Sequence, residues 1–227
     1  MPFHPKFTLK IASYTFALLL SIHALWILVT ELVRPRFGPE TMFPATVSAT
    51  DINSMRLAAN LAGILRNNLW SNRVMIDAAN VLGEQPTKVT PLTQQDVEAV
   101  RAAAERALSN SPLDSRVWLV LAILSSRVDK QHEIAKEQLK MSYYTGPNDK
   151  AVMGHRLKIA ALSQALDNSD LREVVRREIR TILLRAPELR PAITAAYREA
   201  RPSDRAFIAI TISETDPAFA ATLRAIR

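Results

Sequence analysis

An uncharged apolar run near the N-terminus restricts what this chain can fold into more than any other feature. Ile11 to Val29, nineteen residues, contains no Asp, Glu, Lys or Arg. In a helix, at about 1.5 Å per residue, this run nearly spans a hydrocarbon layer of about 30 Å. Tyr14 and Trp26 stand near its ends, where amphipathic rings suit the membrane interface. The sequence therefore predicts a short tail and a transmembrane signal-anchor helix within residues 1–33.

A cleaved signal peptide is the alternative interpretation of the same run. Lys6 and Lys10 form a basic region before it, as signal peptides have. However, the run is longer than a signal peptide needs, and Trp26 to Val29 occupies the place where a small-residue cleavage site should follow. These features favour an uncleaved anchor.

Orientation depends on the charges on either side of the run. Lys6, Lys10 and the free amino terminus on one side face Arg34 and Arg36 on the other. The positive-inside rule then predicts a cytoplasmic N-terminus, with the large domain across the membrane. His23 lies within the run and has two interpretations, a proton path or helix contact, or a tolerated neutral imidazole.

The remainder of the chain divides into a linker and one domain. Residues 34–50 contain three prolines and a glycine, which prevent helix continuation and predict an extended, Pro-rich linker. Residues 51–227 are rich in Ala, Leu and Arg, and the whole chain has only five glycines. This composition, together with an apolar period near 3.6 and no strand pattern, predicts an all-α domain.

Local signals place the helices of this domain. Asp51 is the predicted N-cap of a first helix whose apolar stripe continues to Leu69, and a second helix is predicted from about residue 71 to 82. Residues 83–91 read as a loop. Thr93, with Asp96 three residues later, predicts the N-cap of the next helix. A last helix is predicted to start at Asp216 and Pro217.

An internal repeat follows. The segment Ser111-Pro112-Leu113-Asp114 recurs thirty-five residues later as Gly146-Pro147-Asn148-Asp149. Weaker echoes stand at Ala186-Pro187-Glu188 and at Arg201-Pro202-Ser203-Asp204. The interval is close to the period of about 34 residues that helix–turn–helix repeats have.

Between about Ala99 and Pro187 the sequence resembles the tetratricopeptide-repeat family. The unit starting near Ser115 matches the family pattern if one residue is inserted between its helices; the matching residues are Trp118, Leu121, Ala122, Ala135, Leu139, Ser142 and Pro147. Ala104, Ala107 and Pro112 match the end of a preceding unit. The next unit departs from the pattern, because Met153 and Arg156 stand at its early positions. The resemblance implies a tetratricopeptide-like stack of helix pairs, with Trp118 between pairs.

Signatures of catalysis and cofactor binding are missing from the sequence. The chain has no cysteine, which excludes thiolate nucleophiles, thiolate metal sites and disulfides. It contains no nucleophile elbow, Gly-rich phosphate loop or paired-histidine zinc motif. The four histidines lack metal-ligand spacing. We therefore expect no enzyme activity, no cofactor and no metal.

Two surfaces are candidates for binding a partner. Arg172, Arg176 and Arg180 recur every four residues beside an apolar face, and like charges at this spacing repel unless an anionic partner offsets them. The other interpretation is a solvated face relieved by Glu173 and Glu178. Tyr143 and Tyr144, near Asn148 and Lys150, form the second candidate, although one of these tyrosines could equally belong to the core.

The resemblance implies an adaptor or scaffold, because short, anchored proteins of this kind often accompany bacterial envelope assemblies such as polysaccharide synthesis or export. We expect a single-pass inner-membrane protein with a periplasmic helical domain. Its partners would be other envelope or membrane proteins, anionic glycans or lipid headgroups, as the formal net charge of +7 suggests. The alternative is an accessory subunit of a membrane enzyme or transporter, with the transmembrane helix as main contact. Nucleic acid is not expected, because basic and aromatic residues do not cluster together.

Overall fold

The computed structural model describes residues 5–33, 42–43, 49–62, 67–82 and 93–224. These residues form helices joined by short turns, and they contain no strand. In chain order the α-helices are α1 Pro5–Val33, α2 Ala49–Ala62, α3 Asn67–Leu82, α4 Gln94–Asn110, α5 Ser115–Ile123, α6 His132–Thr145, α7 Lys150–Leu162, α8 Ser169–Arg185, α9 Arg190–Glu199, α10 Pro202–Ser213 and α11 Pro217–Arg224. The predicted all-α fold class is confirmed for the part described.

Helix α1 contains the apolar run. Its segment Lys10–Val29 is long and apolar enough to cross a membrane, and none of it is buried against the rest of the chain. Leu18, Leu19 and Leu20 are each more than half exposed, as side chains that meet lipid would be. Of the charges used to predict orientation, the side chains of Lys6, Arg34 and Arg36 lie outside the described part.

The N-terminal part of the domain corrects two predictions. Helix α2 begins at Ala49, so Asp51 lies inside its first turn and is not the N-cap. The single helix predicted through Leu69 is two helices, because Leu69 belongs to α3 and is fully buried there. The sequence between the two helices contains Gly63, a residue type that helices disfavour. The predicted loop 83–91 lies outside the described residues.

Two residues of the predicted linker are described, and both contact the domain. Met42 is buried, and the Phe43 ring meets the His155 ring edge-on with 5.2 Å between centroids. The rest of the linker as far as residue 48 lies outside the described part.

The predicted N-cap at Thr93 and the predicted start of the last helix at Asp216 and Pro217 are confirmed, and the structure adds N-caps at Asp114 and Asp149. The Thr93 hydroxyl accepts a hydrogen bond from the Asp96 backbone N–H at 3.2 Å, and the Asp96 carboxylate accepts one from the Thr93 N–H at 3.3 Å. Asp114 accepts from the N–H of Arg116 at 3.0 Å, and Asp149 accepts from that of Ala151 at 3.2 Å. The same cap therefore recurs after thirty-five residues. Gly146 is required in the second turn, because a Cβ there would collide with the Ser115 side chain.

A π-helical turn, Leu124–Val128, follows α5. Such turns place one extra residue into a helix. Lys130 then adopts a left-handed conformation with φ of 55°, which ends the segment before α6.

The described helices form a repeat-like arrangement. Helix α3 pairs with α4, and α5 pairs with α6. Alternate helices also contact, so that α3, α5, α7 and α9 follow one another in one row, and α6, α8 and α10 in a second. One hydrophobic core runs through both rows from Met42 to Leu223.

Candidate interaction surfaces

The predicted basic stripe lies against α10. The guanidinium carbons of Arg172 and Arg176 stand 5.0 and 5.5 Å from the centre of the Phe207 ring. Arg176 forms an ion pair with Glu173 at 2.7 Å, and Arg180 forms one with Glu214, the residue directly after α10, at 2.8 Å. Groups of the same chain therefore offset part of the repulsion that suggested an anionic partner.

Glu178 was expected on the same surface, and this expectation is wrong. Its side chain is 2% exposed and points into the core. There it forms an ion pair with Arg156 at 2.7 Å, and the Tyr143 hydroxyl donates a hydrogen bond to its carboxylate at 2.9 Å. Only Glu173 remains to relieve the stripe from within α8.

The two adjacent tyrosines have different environments. Tyr143 is 4% exposed, whereas Tyr144 is 60% exposed. Tyr143 is therefore a core residue rather than a surface contact, which corrects half of the predicted site. Tyr144 alone is open to a partner. Nearby, Lys150 forms an ion pair with Glu188 at 2.9 Å.

Arg156, Glu178 and Tyr143 form a buried cluster that joins α6, α7 and α8. Arg156 is fully buried, and it donates to the backbone carbonyl oxygens of Ser142 and Gly146 at 2.9 Å each. Its guanidinium also lies 4.6 Å from the centre of the Tyr143 ring. The arginine thus adds a second donor to two carbonyl oxygens at the C-terminal end of α6, which also accept hydrogen bonds from the backbone N–H groups of Gly146 and Asp149.

Burial controls the ionisation of this cluster. It raises the pKa of Glu178 to about 7, against the opposing effect of the Arg156 guanidinium. Burial and the nearby Glu178 carboxylate both raise the pKa of the Tyr143 hydroxyl well above its ordinary value. The sequence carried one signal of this cluster, since Glu178 stands seven residues after Leu171, three after Val175 and four before Ile182 on the apolar side of α8.

An apolar groove lies between α5 and α6, and sequence reasoning missed it. We call it the α5–α6 groove; its lining residues are Trp118, Glu133, Ile134, Glu137, Gln138 and Met141. Ile134 is 49% exposed and Met141 is 37% exposed. They are seven residues apart, and so share one helix face. This spacing was visible in the sequence, but a buried face would have shown the same pattern.

Trp118 forms part of this groove, and its position between helix pairs stays a prediction. It is only partly buried, and its indole N–H donates to the carbonyl oxygen of Pro112 at 2.8 Å. Neighbouring helices α4 and α5 contact each other, as do α5 and α6. This hydrogen bond fixes the edge of the ring that carries the N–H, and the apolar part of the ring lies beside α6.

The charged rim of the groove is acidic. Glu133 and Glu137 form ion pairs with Lys136 at 2.8 Å and with Lys140 at 3.1 Å. The carboxylate side chains are 86% and 71% exposed, whereas those lysine side chains are only 12% and 16% exposed. The groove therefore presents carboxylates to solvent, with their lysines turned toward the protein.

A basic face with an exposed leucine lies on the outer side of α8. We call it the α8 outer face; it consists of Arg177, Leu184 and Arg185. Leu184 is 70% exposed, and the Arg177 side chain is 67% exposed beside Glu173 at 3.6 Å. These positions share one side of a helix, because they are spaced by seven and eight residues. Arg177 and Arg185 are not among the arginines that contact α10.

The histidines do not assemble a metal site in the described residues, where no group of three or more His, Asp or Glu side chains has suitable geometry. His155 contacts Phe43, and His23 lies beside Trp26 in α1 with 6.0 Å between ring centroids.

No family model, curated protein or solved structure matches this chain. The resemblance to tetratricopeptide repeats therefore stays a prediction from the residues quoted above.

Proposed function

We propose that this protein is a membrane-anchored adaptor of a bacterial envelope assembly, such as one for polysaccharide synthesis or export. In this proposal α1 holds the chain in the inner membrane and the helical domain, on the periplasmic side, binds other envelope or membrane proteins. The observation that carries the proposal is the α5–α6 groove. Clustered, exposed apolar side chains rimmed by charge typically mark protein interaction sites.

Two further observations support a tetratricopeptide-like stack. The N-cap geometry of Asp114 recurs at Asp149, and alternate helices contact along the chain. In such stacks each unit buries its apolar face against its neighbours, and the remaining surface is used for partners. The Lys10–Val29 segment supports single-pass anchoring.

The test compares three full-length chains in native membranes after brief chemical crosslinking and co-purification. In the first, Lys10–Val29 is replaced by an unrelated apolar helix of the same length. In the second, Ile134→Asp and Met141→Asp make the groove polar. The third is a matched control, Leu162→Asp, since Leu162 is 40% exposed and outside the groove.

We expect the helix replacement and the control to retain the protein partners, and the groove variant to lose them. Retention of the same partners by the groove variant, with comparable protein levels, would contradict the adaptor proposal.

The alternative is an accessory subunit that contacts a membrane enzyme or transporter through α1. The His23 and Trp26 pair favours this candidate, because a polar ring within a membrane segment is often involved in helix contacts. In the same experiment it predicts the opposite result, with partners lost on helix replacement and kept by the groove variant.

A further inference from the structure

The α5–α6 groove and the α8 outer face of one chain have opposite charge and matching apolar content. The groove presents the carboxylates of Glu133 and Glu137 around exposed Ile134 and Met141. We propose that the groove is occupied by the α8 outer face of a second copy of this protein. This inference rests on the proposed adaptor function and names one partner of its groove.

The acidic rim is available to an incoming cation. Glu133 and Glu137 are mostly exposed although each has a lysine partner on the same helix. Exposed pairs of this kind are weak in water. An arginine can displace or share such a pair, because its planar guanidinium binds a carboxylate through two parallel hydrogen bonds.

The α8 outer face carries the complementary groups. Leu184 extends an apolar side chain into solvent, with Arg177 seven residues before it and Arg185 directly after it. Along their helices Arg177 and Arg185 are separated by about 12 Å, and Glu133 and Glu137 by about 6 Å. Long, flexible arginine side chains can span this difference. A helix lying along α6 can therefore cover the groove with Leu184 while its arginines reach the rim.

The two surfaces that meet in this contact are different patches of the same protein. Association is consequently head to tail, and each copy can accept one neighbour in its groove and offer α8 to another. Chains anchored in one membrane also meet at raised effective concentration. The inference thus describes rows or closed rings of the adaptor in the membrane.

Disulfide crosslinking tests the contact cleanly because the natural chain has no cysteine. Full-length chains carrying Met141→Cys and full-length chains carrying Leu184→Cys are expressed together and oxidised in native membranes. We expect a crosslinked pair containing one chain of each kind. The matched control combines Leu162→Cys with Leu184→Cys, and we expect it to give no such pair.

Charge exchange then tests the chemistry of the contact. We expect Glu133→Arg with Glu137→Arg, placed in both cysteine chains, to lower the crosslinked yield about tenfold or more, since like charges are then opposed. Arg177→Glu with Arg185→Glu in both chains should do the same. The yield should recover when the groove chain carries the first exchange and the α8 chain carries the second.

Three results would overturn the inference: no mixed crosslink, a crosslink that the charge exchanges leave unchanged, or a strong Met141→Cys crosslink between identical chains. If the mixed crosslink is missing while groove substitutions still release proteins from native membranes, the groove binds a different protein. That outcome refutes self-association and leaves the adaptor proposal intact.

Discussion

Arg156 and Glu178 are fully buried, which ionisable side chains rarely are unless they are paired. Removing both groups from water costs several kcal/mol per ion, and good pair geometry offsets this cost only when further hydrogen bonds are made. The Tyr143 hydroxyl and the carbonyl oxygens at the end of α6 supply those bonds. We infer that the cluster fixes how α6, α7 and α8 meet.

The raised pKa of Glu178 predicts a pH-dependent stability. Its pKa rises from 4.5 to about 7 on folding, so the folded chain holds this proton more tightly than the unfolded chain. The stability from this group is fully present below about pH 4.5 and is lost as pH rises through 7. Its size is of the order of 3 kcal/mol.

Urea unfolding of the full chain in detergent, followed by circular dichroism between pH 5 and 8, measures this effect. We expect Glu178→Gln to remove most of the decline seen in the natural chain over this range. Exposed Glu173→Gln should preserve it. If the free energy of unfolding depended on pH in the same way for the natural chain and for Glu178→Gln, Glu178 would not titrate between pH 5 and 8.

Removal of one member of the buried pair should be worse than removal of both. At pH 8, where Glu178 of the natural chain is mostly ionised, Arg156→Met leaves the buried carboxylate without its cation, and we expect it to lower the free energy of unfolding by about 3–5 kcal/mol. Arg156→Met combined with Glu178→Leu should recover much of this loss, because no charge is then buried. The same denaturation measurements check both variants, and strictly additive losses would contradict direct coupling.

At the scale of helices, α8 shows what the sequence could and could not predict. Its apolar face was predicted from spacing, and the structure buries Leu171, Val175, Ile179 and Ile182. Caps and breaks at Thr93, Asp114 and Gly146 were also predictable, since they depend on residues a few positions apart. The interactions of Glu178 with Arg156 and of Arg180 with Glu214 join different helices, and periodicity within one helix carries no information about them.

The candidate site was predicted less well than the helices. Tyr143 and Tyr144 are neighbours in sequence, and only the packing of α6 against α8 decides which one is buried. Ile134 and Met141 show the spacing of a core face. Only the tertiary structure, in which α5 packs beside α6, shows that these side chains and the carboxylates beside them are exposed. The same apolar residue types occur on the surface and in the core, and only the tertiary structure decides which of them are exposed.

Replacement of Arg172, Arg176 and Arg180 by Gln should destabilise the domain moderately. Each loses an ion pair or a contact with the Phe207 ring, and such exposed interactions contribute about 0.2–1 kcal/mol each. We expect a total loss of about 1–3 kcal/mol in urea unfolding.

The matched control is Arg177→Gln with Arg185→Gln on the α8 outer face, which should change stability by only about 0.5 kcal/mol per residue. If both variants lost the same free energy of unfolding, the contact of the basic stripe with α10 would not contribute to stability.

At the scale of the whole molecule, the described helices of the domain share one continuous core. In α1 most described apolar side chains of Lys10–Val29 are exposed, and Trp26 packs against that core. In the described residues the helical part buries most of its apolar side chains against itself, and the α5–α6 groove is a place where exposed apolar side chains stand beside exposed carboxylates. We therefore propose that α1 anchors the chain and that the groove binds partners.

Photo-crosslinking in native membranes tests this division most directly. A photoreactive residue is placed in the full chain at position 141 in the groove, at 162 on α7, or at 20 in α1. The account predicts protein adducts at 141 that disappear with Glu133→Arg and Glu137→Arg and persist when α1 is replaced by an unrelated apolar helix. Adducts formed only from position 20, and lost when α1 is replaced, would contradict it.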